Sequence, residues 1–193
     1  MSERLRAIVA LGNPGADHAG DRHNAGFWFI DRLAERWRAS FSSEKKFKGD
    51  LARAGRGDDT VWLLKPMTFM NASGQAIQPL AAFHKIEPAE ILVVHDELDL
   101  GPGTARLKDG GGHGGHNGLR DTHRVIGPGY RRLRIGIGHP GSSAGVLSHV
   151  LGKPSRDDGI AIDQAIDAAI EAVETALASG WMRGAQQLNS RKP

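Results

Sequence analysis

Hydrophobic and polar positions follow two alternating periods along this chain, and they predict strands and helices in turn. Residues 5–11 form a short apolar run that is typical of a buried strand. Over residues 24–38 the apolar side chains recur at helical spacing and predict the first helix. Residues 91–94 form a β-branched run of the kind buried at the centre of a sheet. This alternation predicts an α/β fold.

The rest of the chain continues this pattern. The further predicted strands are 104–108 and 131–138, together with a β-hairpin over 45–54 and 60–64. The further predicted helices are about 73–84, 118–126 and 157–179. Residues 141–153 have the composition of a loop that could cover a groove, and the polar, basic tail 186–193 is expected to be frayed and flexible. Since no internal repeat or interior linker occurs, we expect one domain spanning residues 1–193.

The composition narrows the class of protein. Hydrophobic residues make up 39% and charged residues 24%, which is typical of a globular protein and not of a disordered one. The absence of cysteine excludes disulfides and thiolate zinc sites, and it suits a reducing compartment. No signal peptide and no apolar run long enough to span a bilayer is evident, so we expect a cytoplasmic protein.

Charge is distributed unevenly along the chain. Residues 155–178 contain six acids and one base, a net charge of −5, whereas the whole chain carries +3 and the remainder therefore +8. A basic body with an acidic flank suits a polyanionic partner such as nucleic acid. A solvated surface without a partner explains the same charges equally well.

Candidate chemistry follows the predicted strands. A Gly/Pro turn over residues 11–15 comes directly after the first strand and brings Asn13 and His23 to the start of the first helix. The central strand ends in His95 and Asp96. Ligands of α/β proteins collect beyond the carboxyl ends of strands, so these groups are expected at one rim. A histidine oriented by a carboxylate can act as a general base for water, although a turn with solvated acids is the alternative.

Two further segments carry polar groups that could reach this rim. Asn71 stands where a helix begins, so on its own it is best interpreted as an N-cap. Residues 110–118 form a glycine-rich loop that contains Asn117 and could lie against a ligand, or could be a flexible connector. His113 and His116 in this loop suggest a metal, but such a loop does not fix ligand geometry, and we predict no metal and no cofactor.

The chain lacks the usual nucleophiles of covalent hydrolases. It has no cysteine and no Gly-x-Ser-x-Gly motif, which disfavours an acyl-enzyme intermediate. Direct attack of water on an ester or a similar bond then remains, with the oxyanion held by asparagine or backbone N–H groups. The residues alone therefore predict a metal-free hydrolase with a basic surface.

Five motifs occur in order over essentially the whole length and together resemble bacterial peptidyl-tRNA hydrolase. They are Gly12-Asn13-Pro14-Gly15 with Arg22-His23-Asn24-x-Gly26, Thr68-Phe69-Met70-Asn71-x-Ser73-Gly74, His95-Asp96-Glu97-Leu98-Asp99, the glycine-rich loop 110–118, and Leu133-Arg134-Ile135-Gly136-Ile137-Gly138-His139-Pro140. The resemblance implies a single α/β domain, usually monomeric, with a twisted, mixed and mostly parallel sheet flanked by helices. It implies hydrolysis of the ester between a peptide and the 3′-terminal ribose of tRNA, which recycles tRNA. The expected partner is peptidyl-tRNA, without a membrane or an obligate protein partner.

The resemblance also assigns roles to individual residues. His23 matches the family's catalytic base, Asp96 its supporting acid, and Asn13 the residue that distinguishes a blocked α-amino group from a free one. The remaining matches are to substrate-binding positions, with the last two clamping tRNA phosphates: Phe69, Asn71, Asn117, Lys108 and Arg134.

Two positions depart from the family pattern. The family usually has Tyr where this chain has His18, which we keep as a tRNA-binding position, and Thr where it has Asp21. Asp21 could raise the pKa of His23 or cap the helix. Two alternatives to a metal-free peptidyl-tRNA hydrolase remain: a non-catalytic RNA-binding relative on the same fold, and a metal-dependent hydrolase that uses His113 and His116.

Overall fold

A seven-stranded sheet crosses the structure, a computed structural model that describes residues 4–193. The first three residues of the expected 1–193 domain lie outside the described residues. The strands are β1 Ala7–Ala10, β2 Ser42–Glu44, β3 Gly49–Ala54, β4 Val61–Pro66, β5 Ile91–Glu97, β6 Ala105–Asp109 and β7 Arg131–Gly136. The helices are α1 Ala25–Arg36, α2 Gly74–His84, α3 Asn117–Ile126, α4 Val146–Val150, α5 Arg156–Ser179 and α6 Trp181–Asn189.

The sheet is parallel at its centre and antiparallel at both edges. Its strand order is β2-β3-β4-β1-β5-β7-β6. The four central strands β4, β1, β5 and β7 run parallel, whereas β2, β3 and β6 pair antiparallel with their neighbours. This confirms the mixed α/β sheet, and it places the carboxyl ends of β1 and β5 side by side at one rim.

The period-two alternation of each central strand produces two cores, one on each face of the sheet. In β1 and β5 alternate residues point to opposite faces, so Ile8 packs with α1, α5 and α6, whereas Val9 packs with α2 and α3. The apolar stripe of α5 lies in the first core, with Ile162 and Ile166 fully buried as expected. Helices therefore cover both faces and leave the rim of the sheet for a site.

Two expectations about irregular segments are wrong. Within the expected loop 141–153, residues 146–150 form the short helix α4, which Val150 anchors because that side chain is buried. Residues 186–189 of the expected frayed tail are helical, and Leu188 is buried. The prediction failed because the tail is mostly polar, so its composition gave no sign of a helix that turns Leu188 towards the core.

The end of α6 also completes the outer edge of the sheet. Asn189 Nδ2 donates to the carbonyl of Leu107 in β6 at 2.9 Å, and the Leu107 N–H donates to Asn189 Oδ1 at 2.8 Å. Beyond the helix, Arg191 donates to the carbonyl of Gly103 at 2.8 Å. The C-terminal segment is thus tied to β6 and to the loop that precedes it.

The acidic flank predicted from the charge pattern lies on α5 and faces arginines of α1. Arg32 contacts Asp163 at 3.0 Å and Asp167 at 3.2 Å, and Arg36 contacts Glu174 at 2.8 Å. Part of the acidic charge is therefore neutralised within the fold. No helix among residues 4–193 has the length and apolar character that a bilayer crossing requires.

Candidate active site

The start of α1 packs against the backbone of the two central strands, and this packing positions His23. A Cβ on Gly26 would lie 2.7 Å from the carbonyl oxygen of Val94 and 2.8 Å from that of Leu11. A Cβ on Gly12 would lie 2.8 Å from the ring of Phe27. Glycine at both positions therefore allows the helix to begin directly over the ends of β1 and β5. His23, in the 3₁₀ turn before α1, is held at the same rim as β5.

The predicted pair of His23 and Asp96 is formed. His23 Nδ1 lies 2.8 Å from Asp96 Oδ2, and these side chains are 12% and 2% exposed. Because the carboxylate accepts, Nδ1 carries the hydrogen, and Nε2 is left without a partner among residues 4–193. Burial lowers the pKa of His23, but Asp96, with a smaller contribution from Asp21, raises it by more, so the net shift is upward.

A second histidine, His116, holds the other oxygen of Asp96. Its Nε2 lies 2.7 Å from Asp96 Oδ1, while its Nδ1 accepts the N–H groups of Gly118 and Leu119 at the start of α3. The hydrogen of His116 is therefore fixed on Nε2. Burial raises the pKa of Asp96, but its contacts with His116 and His23 outweigh burial and hold that pKa far below the ordinary value.

Beneath this pair lies a buried layer built on His95 and Arg132. His95 Nδ1 donates to the carbonyl of Asp96 at 2.8 Å, and its Nε2 accepts from Arg132 Nε at 3.1 Å. Burial first, and then the electrostatic effects of His116 and Arg132, lower the pKa of His95 well below its ordinary value, which suits a neutral acceptor. Arg132 is 3% exposed and also donates to the carbonyls of Gly110 and Gly112 at 3.3 and 2.8 Å. The network therefore joins the glycine-rich loop to β5.

Asn13 is held by a reciprocal pair of hydrogen bonds with Asn24. The Asn13 N–H donates to Asn24 Oδ1 at 2.8 Å, and Asn24 Nδ2 donates to the Asn13 carbonyl at 2.9 Å. Asn13 Oδ1 then accepts the N–H of Met70 at 2.7 Å. Its Nδ2 makes no hydrogen bond within residues 4–193, and it is the group left to bind a ligand.

The substrate-binding residues expected near Asn13 are exposed. Asn71 lies in the 3₁₀ turn Met70–Ala72, whereas the N-cap of α2 is Ser73, so the interpretation of Asn71 as an N-cap is wrong. Phe69 next to it is 63% exposed. Asn117 is the first residue of α3 and is also exposed. These side chains present polar and aromatic groups to solvent.

A groove of about 620 Å³ opens over the His23–Asp96 pair. It also contains Asn117, Lys108 and Arg134, and α4 forms one of its walls. Residues 141–153 therefore do border a groove, as expected, but they do so through the helix α4 and not through a loop. Arg134 Nε donates to Glu97 Oε1 at 2.8 Å, whereas Lys108 forms no ion pair within the described chain. Of the two predicted phosphate-binding cations, only Arg134 is thus paired with a carboxylate within the described residues.

Asn13 lines a second cleft, of about 330 Å³, and His18, Phe69 and Asn71 line neither of the two. His18 Nδ1 lies 2.8 Å from Asp21 Oδ2, so the two positions that depart from the family pattern contact each other. Asp21 occupies the N-cap position of the 3₁₀ turn Arg22–Asn24, but its side chain makes no capping hydrogen bond.

Potential metal ligands converge at one place among residues 4–193. The one group of three or more potential ligands is His23, Asp96 and His116, whose ligand atoms lie within 4.8 Å of one another. Their facing atoms are hydrogen-bonded to one another, and His116 Nδ1 is occupied by helix N–H groups. His113 does not belong to this group, so the residue pair of the metal-dependent alternative does not converge.

Three residues of this site were not predicted from the sequence: Asn24, Arg132 and His116. His116 was considered only as a metal ligand and not as a partner of Asp96. For His116, the position directly before the predicted helix 118–126 was the available indication. Together the residues form a histidine with one free nitrogen, held by a buried carboxylate at the floor of an open groove. This arrangement can remove a proton from water and stabilise the resulting imidazolium.

Comparisons with known proteins give a consistent result. The sequence profile of the family described as "Peptidyl-tRNA hydrolase" matches residues 7–193. A peptidyl-tRNA hydrolase of Neisseria meningitidis serogroup C (strain 053442) is 52% identical over 192 residues, covering 99% of this chain and 100% of that protein. One of Xanthomonas campestris pv. campestris (strain 8004) is 55% identical over 189 residues, covering 97% and 98%. The crystal structure of peptidyl-tRNA hydrolase from Acinetobacter baumannii superposes with a TM-score of 0.95 at 48% identity, covering 100% of this chain and 98% of that one.

Proposed function

Because this chain belongs to the peptidyl-tRNA hydrolase family, and is thereby an ester-hydrolysing enzyme, we propose that it cleaves peptidyl-tRNA with His23 as the general base and without a metal. The observation that carries the mechanism is the hydrogen bond between His23 Nδ1 and Asp96 Oδ2. It leaves Nε2 as the one unoccupied ring nitrogen of His23, and that residue lines the groove.

In the first step a water molecule donates a hydrogen bond to His23 Nε2 and attacks the ester carbonyl carbon. The water proton passes to Nε2, the new C–O bond forms, and the carbonyl electrons move to the oxygen. Asp96 stabilises the imidazolium through Nδ1–H. In the second step the bond between the carbonyl carbon and the 3′-oxygen of the ribose breaks, and Nε2 returns the proton to that oxygen. The products are the peptide carboxylic acid and tRNA.

Asparagine amides supply the neutral hydrogen bonds that this substrate needs. Asn13 Nδ2 is free to donate to the carbonyl of an acylated α-amino group, which a free ammonium group lacks. Asn117 lines the groove beside His23, and Asn71 is exposed in the turn that Asn13 holds. We assign the oxyanion and the peptide amides to these three side chains.

The tRNA phosphates belong on the side of the groove that carries Lys108 and Arg134. Lys108 can bind a phosphate without breaking an ion pair to any residue from 4 to 193. Arg134 already pairs with Glu97 and would contact a phosphate through the rest of its guanidinium group. His18 and Phe69 lie outside this groove. We assign them to contacts with the nucleotides or peptide that extend beyond it, since both a ring and an imidazole can stack on a base.

The metal-free part of the proposal rests on the donor set. The nitrogens of His23 and His116 that face Asp96 carry hydrogens, and a metal could bind there only after both hydrogen bonds were broken. The catalytic residues are all present, and no observation on this chain favours the non-catalytic RNA-binding alternative.

The test compares N-acetyl-aminoacyl-tRNA with the same tRNA carrying a free amino group, in the presence of chelator. We expect wild type to cleave only the blocked substrate and His23→Ala to lose about 10³-fold in kcat while still binding tRNA. Loss of wild-type activity on prolonged chelation, restored by added metal, would contradict the metal-free mechanism. Binding of tRNA without cleavage by wild type would support the RNA-binding alternative.

A further inference from the structure

The second cleft, lined by Asn13, shares no lining residue with the groove over His23, and of its lining residues only Asn13 contacts substrate in the mechanism above. We propose that it binds the second residue of the peptide, counted from the ester, and that Asp50 makes it favour a basic side chain there. This inference rests on the proposed function, because it takes the direction of the peptide from Asn13.

The position of the cleft follows from two asparagines. Asn13 and Asn24 both line it, and Asn24 is the chain neighbour of His23. The ester lies at His23 in the proposed mechanism, and the amide next to the ester lies at Asn13. With phosphates bound at Lys108, the tRNA occupies the catalytic groove, so the peptide leaves past Asn13. We place the second residue of the peptide in the second cleft because Asn13 lines it.

The cleft has the size and walls of a side-chain pocket. Its volume is about 330 Å³, at the lower end of the range of ligand pockets. Phe27, Trp28 and Met67 provide apolar walls, and Pro14 and Gly15 of the first turn border it. The Trp28 Nε1–H is already bonded to the carbonyl of Ala19 at 2.8 Å, so the indole is fixed in place. These walls suit the methylene chain of a long side chain.

The charges in the cleft do not cancel. Lys65 is paired with Asp31 at 2.8 Å and stacks at 5.1 Å from the centre of the Phe27 ring. Asp50 lies opposite Lys65 across the β3–β4 ladder, yet it forms no ion pair with any residue from 4 to 193. The two carboxylates and one ammonium give the cleft one excess negative charge, carried by a half-buried group. An incoming ammonium or guanidinium would neutralise it.

The experiment uses three tRNAs with the same ester-linked glycine: N-acetyl-Gly-tRNA, N-acetyl-Lys-Gly-tRNA and N-acetyl-Glu-Gly-tRNA. For wild type we expect kcat/KM to be about fivefold higher for the Lys than for the Glu substrate, an effect of the size that a partly exposed charge produces. We expect Asp50→Asn to bring this ratio near one, through KM, and Asp50→Lys to reverse it.

Two controls separate the possible failures. N-acetyl-Gly-tRNA has no side chain to place in the cleft, so its hydrolysis by wild type tests the proposed function alone. Asp58→Asn, in the exposed turn of the same hairpin, should keep the wild-type Lys/Glu ratio. Cleavage of N-acetyl-Gly-tRNA with a wild-type ratio near one, or with a ratio that neither change at Asp50 alters, would overturn the cleft proposal and leave the proposed function intact.

Discussion

The floor and the open side of the groove are built in opposite ways. On the floor, both oxygens of Asp96 are bonded to histidines, and His95 and Arg132 close the network beneath them. On the open side, Asn117 and Lys108 point into the groove with no side-chain partner among residues 4–193. The reacting groups are therefore fixed before substrate arrives, whereas the binding groups gain their partners only from the substrate. Changes in the first region should alter kcat or stability, and changes in the second should alter binding.

The largest effect is expected from Asp96→Asn. An amide offers one oxygen to two N–H donors, so either His23 or His116 must turn away or change its tautomer. We expect kcat to fall by about 10³- to 10⁴-fold. Asp96 raises the pKa of His23, and only the unprotonated base is active, so the acid limb of the remaining activity should also move to lower pH. A pH–rate profile measures both, and an unmoved acid limb would contradict the assigned cause of the shift.

The next effect should appear in stability. Arg132→Met removes the donor to the buried His95 Nε2, which is left unpaired, and to two partly buried carbonyls of the glycine-rich loop. We expect the free energy of unfolding to fall by about 2–4 kcal/mol in urea titrations. Arg120→Met on the exposed face of α3 is the matched control and should change it by less than about 0.5 kcal/mol. Equal stability of the two variants would show that the buried layer does not hold the site.

A smaller effect, on binding alone, is expected from Lys108→Ala. Each phosphate contact that is lost lowers the dependence of binding on salt, so the slope of log K against log [salt] should decrease in magnitude by about 0.7 to 0.9. We expect KM to rise severalfold with kcat nearly unchanged. Titrations of tRNA at several salt concentrations measure the slope, and an unchanged slope would remove Lys108 from the phosphate-binding residues.

The smallest effect is expected from Asp21→Thr. Asp21 is the lesser of the two carboxylates that raise the pKa of His23, and its side chain is hydrogen-bonded to His18. Its removal should lower that pKa slightly, so the acid limb of kcat should move to lower pH by less than in Asp96→Asn. If the two variants shift the limb equally, the assigned order of the two carboxylates is wrong.

Features that depend on residues close together in the sequence could be predicted, whereas contacts between distant residues could not. The apolar periodicities predicted the central strands and long helices, because each depends on neighbours within a few residues. His23 and Asp96 were predictable as a pair because Asp96 lies at the end of β5, His23 follows β1, and these two strands end at one rim. The three-residue strand β2, Ser42–Glu44, has no apolar pattern and was missed.

The role of the second histidine, His116, could not be predicted because its partner lies far away in the sequence. His116 reaches Asp96 across 20 residues and a glycine-rich loop, and no local pattern encodes that contact. Arg132 alternates with the apolar residues of β7, but a charged residue is ordinarily expected to be exposed, and only the assembled network accounts for its burial. The roles carried over from the family resemblance to Asn71, Phe69 and His18 stay predictions.

The amide of Asn189 has a consequence beyond anchoring the last helix. Leu107 belongs to a terminal strand of the sheet, and its N–H and carbonyl point outward, where a strand from another molecule could pair with them. The side chain of Asn189 occupies both groups as a neighbouring strand would. The last turn of α6 thus blocks pairing with a strand of another molecule, and so opposes edge-to-edge aggregation, at one of the two edges of the sheet.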